Sequence, residues 1–269
     1  PFEETSSFRT GSKLGPSAIL EASAEVELFD AATGLEPAVL SGGIHTRAPL
    51  ATEGLDGATL ADVLCGSVRE GLDRGKFIIT LGGEHTSTVG AIKACSEKFP
   101  DLTVLQLDAH SDLREEYRGD RWSHACAMAR VLDFHEDIVQ VGIRSQAAEE
   151  RLRSGQRGIP VFYAHEIHAQ DPDARWIDAV VDACAANVCV SFDCDVFDPS
   201  IIPATGTPEP GGLTWRQVDR LFAALAAKRT IVAVDVSELA PVEGLVHPQF
   251  TIAKLVSRVI GYVFSKQGS

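Results

Sequence analysis

Segments with two different hydrophobic patterns alternate along the chain. Short apolar runs rich in valine and isoleucine predict strands at 77–80, 103–108, 138–143, 161–163, 188–193 and 231–236. Between them, apolar residues recur every three to four positions, which predicts helices that include 86–98, 125–133 and 176–185. The chain is therefore predicted to alternate strands and helices.

Two further helices are predicted from their end signals. An apolar stripe at helical spacing leads to Gly75, a residue type that often ends helices, and it consists of Leu60, Val63, Leu64, Val68 and Leu72. Thr214 and Gln217 have the spacing of a capping box and should open a helix. A last apolar stripe at 255–263 predicts a closing helix.

This order of elements predicts an α/β fold in which helices cover both faces of a parallel sheet. No internal repeat or low-complexity linker interrupts the pattern, so we expect a single domain over residues 1–269. The sequence begins with Pro1 rather than methionine, and we expect that a first strand precedes it. Ligands of such sheets bind beyond the carboxyl ends of the strands.

The charge and composition of the chain exclude some classes of binding partner. The formal net charge of -14 argues against binding to nucleic acid or to anionic membranes. No apolar run has the length of about 18 residues that a membrane span needs. The six cysteines are scattered without a framework spacing, which favours reduced thiols and a cytoplasmic location.

Acidic and imidazole side chains gather at the predicted strand ends. Buried carboxylates repel one another unless a positive charge lies between them. Four aspartates match the charge of two divalent cations, and oxygen and imidazole ligands without thiolate favour Mn2+ over structural zinc. The predicted ligands of these two ions are His85, Asp108, His110, Asp112, Asp193 and Asp195.

Each motif alone has a plainer explanation. A single D-x-H or D-x-D sequence is more often a hydrogen-bonded turn than a metal site. The two motifs together, each at the end of an apolar strand, are hard to explain as solvated surface. A di-metal phosphoesterase would need basic side chains near the ions, and none interrupts DAHSD or SFDCD.

The motifs resemble those of the ureohydrolase family, which contains arginases and agmatinases. The similar segments follow one another over nearly the whole chain and are TSSFRTGSKLGPSAI (5–19), GGEHTST (82–88), DAHSDLREEYRGDRWSHACAM (108–128), VGIRS (141–145), SFDCDVFDPSIIPATGTPEPGGLT (191–214) and DVSELAP (235–241). Glu84 stands where most members have aspartate, and we do not expect it to be a ligand.

The resemblance implies an arginase-type fold, a three-layer αβα sandwich around a mostly parallel sheet. It also implies two Mn2+ ions per subunit, a small cationic guanidinium substrate and a homo-oligomer, either a trimer or a hexamer. The catalytic residues that it implies are Asp112 as a proton carrier, His124 as a proton shuttle and Glu238 as the residue that binds the guanidinium.

The predicted substrate is agmatine, which would yield urea and putrescine for polyamine biosynthesis. In arginases the corresponding loop carries Asn, Ser and Thr residues that bind the α-amino and α-carboxyl groups of arginine, whereas the loop LREEYRGDRWSH has neither an Asn nor a Ser before Ser123. Instead it carries Glu115, Glu116, Tyr117, Asp120 and Trp122, which we expect to bind a terminal ammonium. The alternatives are another guanidine, such as guanidinobutyrate or arginine, and a non-catalytic scaffold of the same fold.

Overall fold

The computed structural model describes residues 1–170 and 175–265. In these ranges one sheet has six strands, which are β1 (Ile78–Leu81), β2 (Leu102–Leu107), β3 (Ile138–Ile143), β4 (Val161–Tyr163), β5 (Asn187–Asp193) and β6 (Thr230–Ser237). Every neighbouring pair is parallel, and the strand order is β1-β6-β5-β2-β3-β4. The predicted parallel α/β sheet is confirmed.

Three helices precede the first strand, and the others lie between and after the strands. In chain order they are α1 (Gly15–Ser23), α2 (Pro37–Leu40), α3 (Gly57–Asp73), α4 (Thr88–Lys98), α5 (Ala127–Val131), α6 (Ala148–Arg157), α7 (Ala164–Gln170), α8 (Arg175–Ala183), α9 (Trp215–Lys228) and α10 (His247–Ser265). The capping box is present, since Thr214 accepts from the backbone of Gln217 and Gln217 accepts from that of Thr214. Gly75 has φ 69° just after α3, as its predicted role as a helix stop requires.

Successive strand residues enter two separate cores. Val104 of β2 belongs to the same core as Ile92 of α4, and Leu105 belongs to the other core, together with Leu221 of α9. Side chains of a strand point alternately to opposite faces, so the two cores lie on opposite sides of the sheet. The architecture is therefore helix, sheet, helix, which is the predicted three-layer sandwich.

Some predicted details differ from the structure. Residues 125–133 form a 3-10 turn, His124–Cys126, followed by a helix of only five residues. Val63 was placed on the apolar face of α3, but 41% of it is exposed. The helices α1, α2 and α7 were not predicted, because short helices carry weak periodicity.

The N-terminal segment covers the end of β1. Phe2 is buried, and its carbonyl accepts a hydrogen bond of 2.9 Å from the backbone nitrogen of Glu84. A Cβ at Gly83 would lie 2.1 Å from that same carbonyl oxygen, so only glycine allows this approach. The segment is thereby held beside the strand ends.

Candidate metal centre and substrate cavity

Four neighbouring strands deliver the predicted site residues to one edge of the sheet. Asp108 directly follows β2, Asp193 ends β5, and Glu238 directly follows β6. His85 comes after the glycine turn that follows β1. Because β1, β6, β5 and β2 are adjacent and parallel, their carboxyl ends meet at this edge.

The six predicted ligands form one connected cluster. His85 and Asp193 make one group with Asp108, and His110 and Asp195 make a second group with the same Asp108. In each group the offered ligand atoms lie within 4.8 Å of one another. Asp112 joins through His85, whose Nδ1 lies 2.7 Å from Asp112 Oδ2. Two groups that share one carboxylate have the arrangement of a two-ion site.

Turns, rather than strand alternation, bring these side chains together. We expected Asp108, His110 and Asp112 to converge because they alternate along an extended chain. That explanation is wrong, since β2 ends at Leu107 and Asp112 has a left-handed backbone with φ 52°. Likewise Asp195 lies in a 3-10 turn, where its backbone nitrogen donates to Asp193 Oδ1 at 2.9 Å.

The cluster carries more negative charge than its own side chains neutralise. Burial, together with Asp195, Asp108 and Glu238, raises the pKa of Asp193 well above its ordinary value. Burial and Asp108 also raise the pKa of Asp112 to about 7. Such crowding of buried carboxylates is the electrostatic condition for binding divalent cations.

The donor set fits hard or borderline divalent ions. It offers carboxylate oxygens and two imidazole nitrogens, and His85 presents Nδ1 to the cluster while its Nε2 lies 2.9 Å from Ser191 Oγ. Cys194 is fully buried and enters neither group, as expected from its sequence position. Oxygen-rich ligation without thiolate suits Mn2+ and related ions.

Glu238 faces the centre from the end of β6. Its Oε1 accepts a hydrogen bond of 2.7 Å from the backbone nitrogen of His85. Its own nitrogen donates to Gly83 at 2.7 Å, and its φ of 61° is left-handed. A Cβ at Gly206 would lie 3.7 Å from Glu238 Oε2, so the chain passes close to this carboxylate. Burial and the nearby Glu84 raise the pKa of Glu238 well above its ordinary value.

His124 stands at another wall of the same site. Its Nδ1 lies 3.0 Å from Thr5 Oγ1, and its ring meets Tyr117 edge to face with centroids 6.0 Å apart. Burial, together with positive charge on His85 and His110, lowers the pKa of His124 to about 4. The imidazole is therefore neutral at neutral pH.

A cavity of about 320 Å³ opens onto the centre. It is lined by Glu238, His124, Tyr117, Glu150, Glu209 and all of the predicted ligands except Asp108, as well as Arg9 and Arg114. Arg9 donates to the carbonyls of Ala240 and Pro241, and Arg114 lies 3.6 Å from Glu150. Both cations are thus engaged by protein acceptors, which does not favour a phosphate site.

The predicted role of the loop acids is wrong. Glu115 accepts from Arg121, Arg130 and Arg153, and these bonds hold its pKa at about 2. Of the five loop residues expected to bind an ammonium, only Tyr117 lines the cavity, which Glu115, Glu116, Asp120 and Trp122 do not reach. The sequence did not reveal which acids the loop turns away from the site.

Three residues near the centre, Glu84, Thr5 and Glu209, were not anticipated. Glu84 was discounted, yet it is fully buried and its side chain binds the N-terminal segment at Thr5. Glu209 lies in the motif SFDCDVFDPSIIPATGTPEPGGLT and lines the cavity. For its carboxylate no ion pair is found within the described residues 1–170 and 175–265. All three lie inside segments that resemble motifs of the ureohydrolase family, and this was the sequence signal that could have identified them.

Comparisons with known proteins agree on one family. The family model described as "Arginase family" matches residues 1–261. An N(1)-aminopropylagmatine ureohydrolase of Synechocystis is 38% identical over 97% of this chain and 86% of its own. An agmatinase of Pyrococcus horikoshii is 31% identical over 97% of this chain and 89% of its own.

A solved structure has the same fold. The agmatine ureohydrolase of Thermoplasma volcanium superposes with a TM-score of 0.89 at 32% identity, covering 100% of this chain and 90% of its own. Among the described residues, no helix has both the length and the apolar character that crossing a bilayer requires.

Proposed function

This chain belongs to the arginase family of ureohydrolases, and on that premise we propose that it hydrolyses an aminoalkylguanidine to urea and an amine. The observation that carries the proposal is the placement of Glu238 beside two groups of metal-binding side chains that share Asp108. A guanidinium held by Glu238 would have its carbon next to the ions. A scaffold would have no use for this arrangement.

We propose two Mn2+ ions as the resident metals. One would be held by His85, Asp108, Asp112 and Asp193, and the other by Asp108, His110, Asp193 and Asp195. When bound, such ions supply Lewis acidity that lowers the pKa of a coordinated water toward 7, which makes it a nucleophile at neutral pH. The carboxylates and histidines of this chain fix the positions of the ions.

The side chains of the cavity would then orient the substrate and move protons. Glu238 would accept paired hydrogen bonds from the guanidinium, which fixes the orientation of its carbon. Water adds to that carbon, the C–N bond to the alkyl chain breaks, and the amine leaves with a proton from Asp112. Asp112, 2.7 Å from His85 Nδ1 in the same cluster, would take that proton from the attacking water and return it to the amine. His124 would exchange protons with solvent.

We propose that the substrate has the agmatine skeleton and carries no carboxylate. Glu209 and Glu150 line the cavity, and Glu150 already accepts from the backbone nitrogens of Leu113 and Ala147. Glu209 is therefore the acid that we assign to the amine of the substrate, in place of the loop acids. A negatively charged wall favours ammonium and disfavours the carboxylate of arginine or guanidinobutyrate.

Two substrates fit this description, agmatine and its N(1)-aminopropyl derivative. The aminopropyl compound is the first candidate, because the Synechocystis relative that carries its name has the higher identity of the two relatives compared. Its hydrolysis would release urea and spermidine, whereas agmatine would release urea and putrescine. Both products are polyamines.

The deciding experiment compares kcat/KM for N(1)-aminopropylagmatine, agmatine, 4-guanidinobutyrate and arginine with Mn2+-loaded protein. We expect both amines to exceed both carboxylates. Glu209→Gln should raise KM for the amines about tenfold, as loss of a half-buried ion pair would. The matched variant Glu116→Gln removes an acid outside the cavity and should leave KM unchanged. Preference for a substrate with a carboxylate would refute the assignment of Glu209 to the substrate amine. If no guanidine yields urea, the protein would instead be a non-catalytic scaffold of the same fold.

We also propose a cytoplasmic homo-oligomer. The cysteines of the chain are all buried and free, which suits a reducing compartment. Large apolar side chains are exposed at Leu28, Phe29, Val39 and Val246, a distribution that suits a subunit interface. Light scattering of the purified protein tests the assembly, and a monomer at micromolar concentration would contradict it.

A further inference from the structure

The hydroxyl of Thr5 stands between a buried carboxylate and the proposed proton shuttle. Thr5 Oγ1 lies 2.8 Å from Glu84 Oε1 and 3.0 Å from His124 Nδ1. The backbone nitrogen of His124 donates to the same oxygen at 2.9 Å. Three polar partners thus surround one hydroxyl.

The four bonds to Glu84 indicate where the hydroxyl hydrogen goes. The backbone nitrogens of Glu4 and Thr5 donate to Oε2 at 3.0 and 2.8 Å. The hydroxyls of Thr5 and Thr86 lie 2.8 and 3.0 Å from Oε1. The single hydrogen of the Thr86 hydroxyl is shared between Glu84 and the Trp122 carbonyl oxygen, also at 3.0 Å, but an ionised Glu84 can only accept, so Thr5 donates its one hydrogen to it.

The remaining lone pairs of Thr5 then fix the state of the histidine. A hydroxyl has one hydrogen and two acceptor positions, and one of these is taken by the backbone nitrogen of His124. The other faces His124 Nδ1, which must therefore carry the hydrogen. We infer that Glu84 and Thr5 are positioning residues that hold neutral His124 as the Nδ1–H tautomer and leave Nε2 free to accept a proton.

This assignment rests on the proposed function and adds a purpose to two residues outside the metal groups. A shuttle that takes a proton from the reacting centre needs an unprotonated nitrogen on the cavity side. With Nδ1 bound to Thr5, Nε2 is the nitrogen that remains for that task. The chain of hydrogen bonds from Glu84 through Thr5 to His124 also gives a reason for the close binding of the N-terminal segment to the loop after β1.

A competing arrangement is present in the same structure. Ser123 Oγ lies 3.4 Å from His124 Nδ1 and would donate to it if Nδ1 were unprotonated. That arrangement would leave the hydrogen on Nε2 and remove its ability to accept. The shorter contact to Thr5, at 3.0 Å, favours the first tautomer.

The tautomer can be read directly by nitrogen NMR. The full chain is labelled with 15N-histidine and loaded with diamagnetic Zn2+, and the signal of His124 is identified by its loss in His124→Gln. We expect a protonated Nδ1 and an unprotonated Nε2. In Glu84→Gln the amide donates to Thr5, which turns the hydroxyl toward Nδ1, so the tautomer should reverse. The opposite tautomer in the unchanged protein would overturn the inference.

Activity supplies the second measurement. Thr5→Val removes the hydroxyl at nearly constant volume and should lower kcat about 100-fold with KM unchanged, the size expected for loss of a proton-transfer group. Thr5→Ser keeps the hydroxyl and should restore kcat, and Ser123→Ala should have no effect. Equal kcat in Thr5→Val and Thr5→Ser would overturn the relay. If the unchanged protein releases no urea from any guanidine, the proposed function fails, while the NMR result still decides the tautomer.

Discussion

Replacing Glu238 by glutamine should abolish recognition of the guanidinium while preserving the fold. Glu238 Oε1 accepts from the backbone nitrogen of His85 at 2.7 Å. In Glu238→Gln the amide oxygen takes that bond, which turns the NH2 group toward the position that Oε2 now occupies. A guanidinium has only hydrogen-bond donors, so in the variant its N–H groups would face the NH2 group of the glutamine and could not bond to it.

The loss can be estimated from these contacts. A hydrogen bond to a charged group contributes about 1.5 to 3 kcal/mol, and Glu238 is positioned to accept two from the guanidinium. Losing both costs about 3 to 6 kcal/mol, which corresponds to a fall of about 100- to 20,000-fold in kcat/KM. Because Gln and Glu have similar backbone preferences, the left-handed φ of 61° costs the same in both proteins.

The assay is urea release by Mn2+-loaded protein over a range of agmatine and N(1)-aminopropylagmatine concentrations. Metal content should stay unchanged, since Glu238 belongs to neither metal group, and this separates substrate binding from metal loss. Glu243→Gln changes an exposed glutamate of the following loop and serves as the matched control. A kcat/KM within about threefold of the unchanged protein would refute the role of Glu238.

Three further perturbations have defined outcomes. Asp193→Asn should remove activity and lower the bound metal, measured by elemental analysis, because it deletes a carboxylate at the heart of the cluster. Chelated protein should lose stability in urea denaturation as the pH rises from 5 to about 7, since burial and Asp108 raise the pKa of Asp112 to about 7 and so favour its protonated form in the folded chain; a flat profile would contradict this. Asp30→Asn removes a charged acceptor of Lys254 and of the buried Arg258, which keeps Asp219 as its other partner, and should cost about 2 kcal/mol at pH 7. That cost should vanish toward pH 2, because the pKa of Asp30 is lowered to about 2.

The sequence predicted the sheet and the cluster because both have local signals. Strand β3 was predicted at 138–143 and occurs at Ile138–Ile143, since a continuous apolar run has few alternatives inside a parallel sheet. The clustered acids and histidines were singled out because carboxylates crowded at buried strand ends repel one another unless a positive charge lies between them. Composition and spacing sufficed for these inferences.

Side-chain direction in the loops could not be predicted in the same way. Glu115 looked like a substrate acid, but Arg153, Arg130 and Arg121, which lie 38, 15 and 6 positions away, hold it outside the cavity. The sequence predicted only that Glu84 is not a ligand, and its bond to Thr5 was not foreseen because the two residues lie 79 positions apart. Contacts of this kind depend on the packed chain, and no local period encodes them.

The strain in this fold lies where the proposed chemistry needs it. Non-glycine residues with left-handed backbone are Asp112, Arg118 and Glu238 among the described residues, and two of these three carry carboxyl groups that face the cavity. Such conformations cost about 1 kcal/mol or more each, and burial of both carboxyl groups adds to that cost. A chain selected for stability alone would place glycine or asparagine at these turns. Burial of apolar side chains in the two cores offsets this unfavourable free energy. The left-handed conformations place Asp112 next to His85 and place Glu238 next to the loop after β1. Strain at these two positions therefore supports a catalytic fold rather than a scaffold.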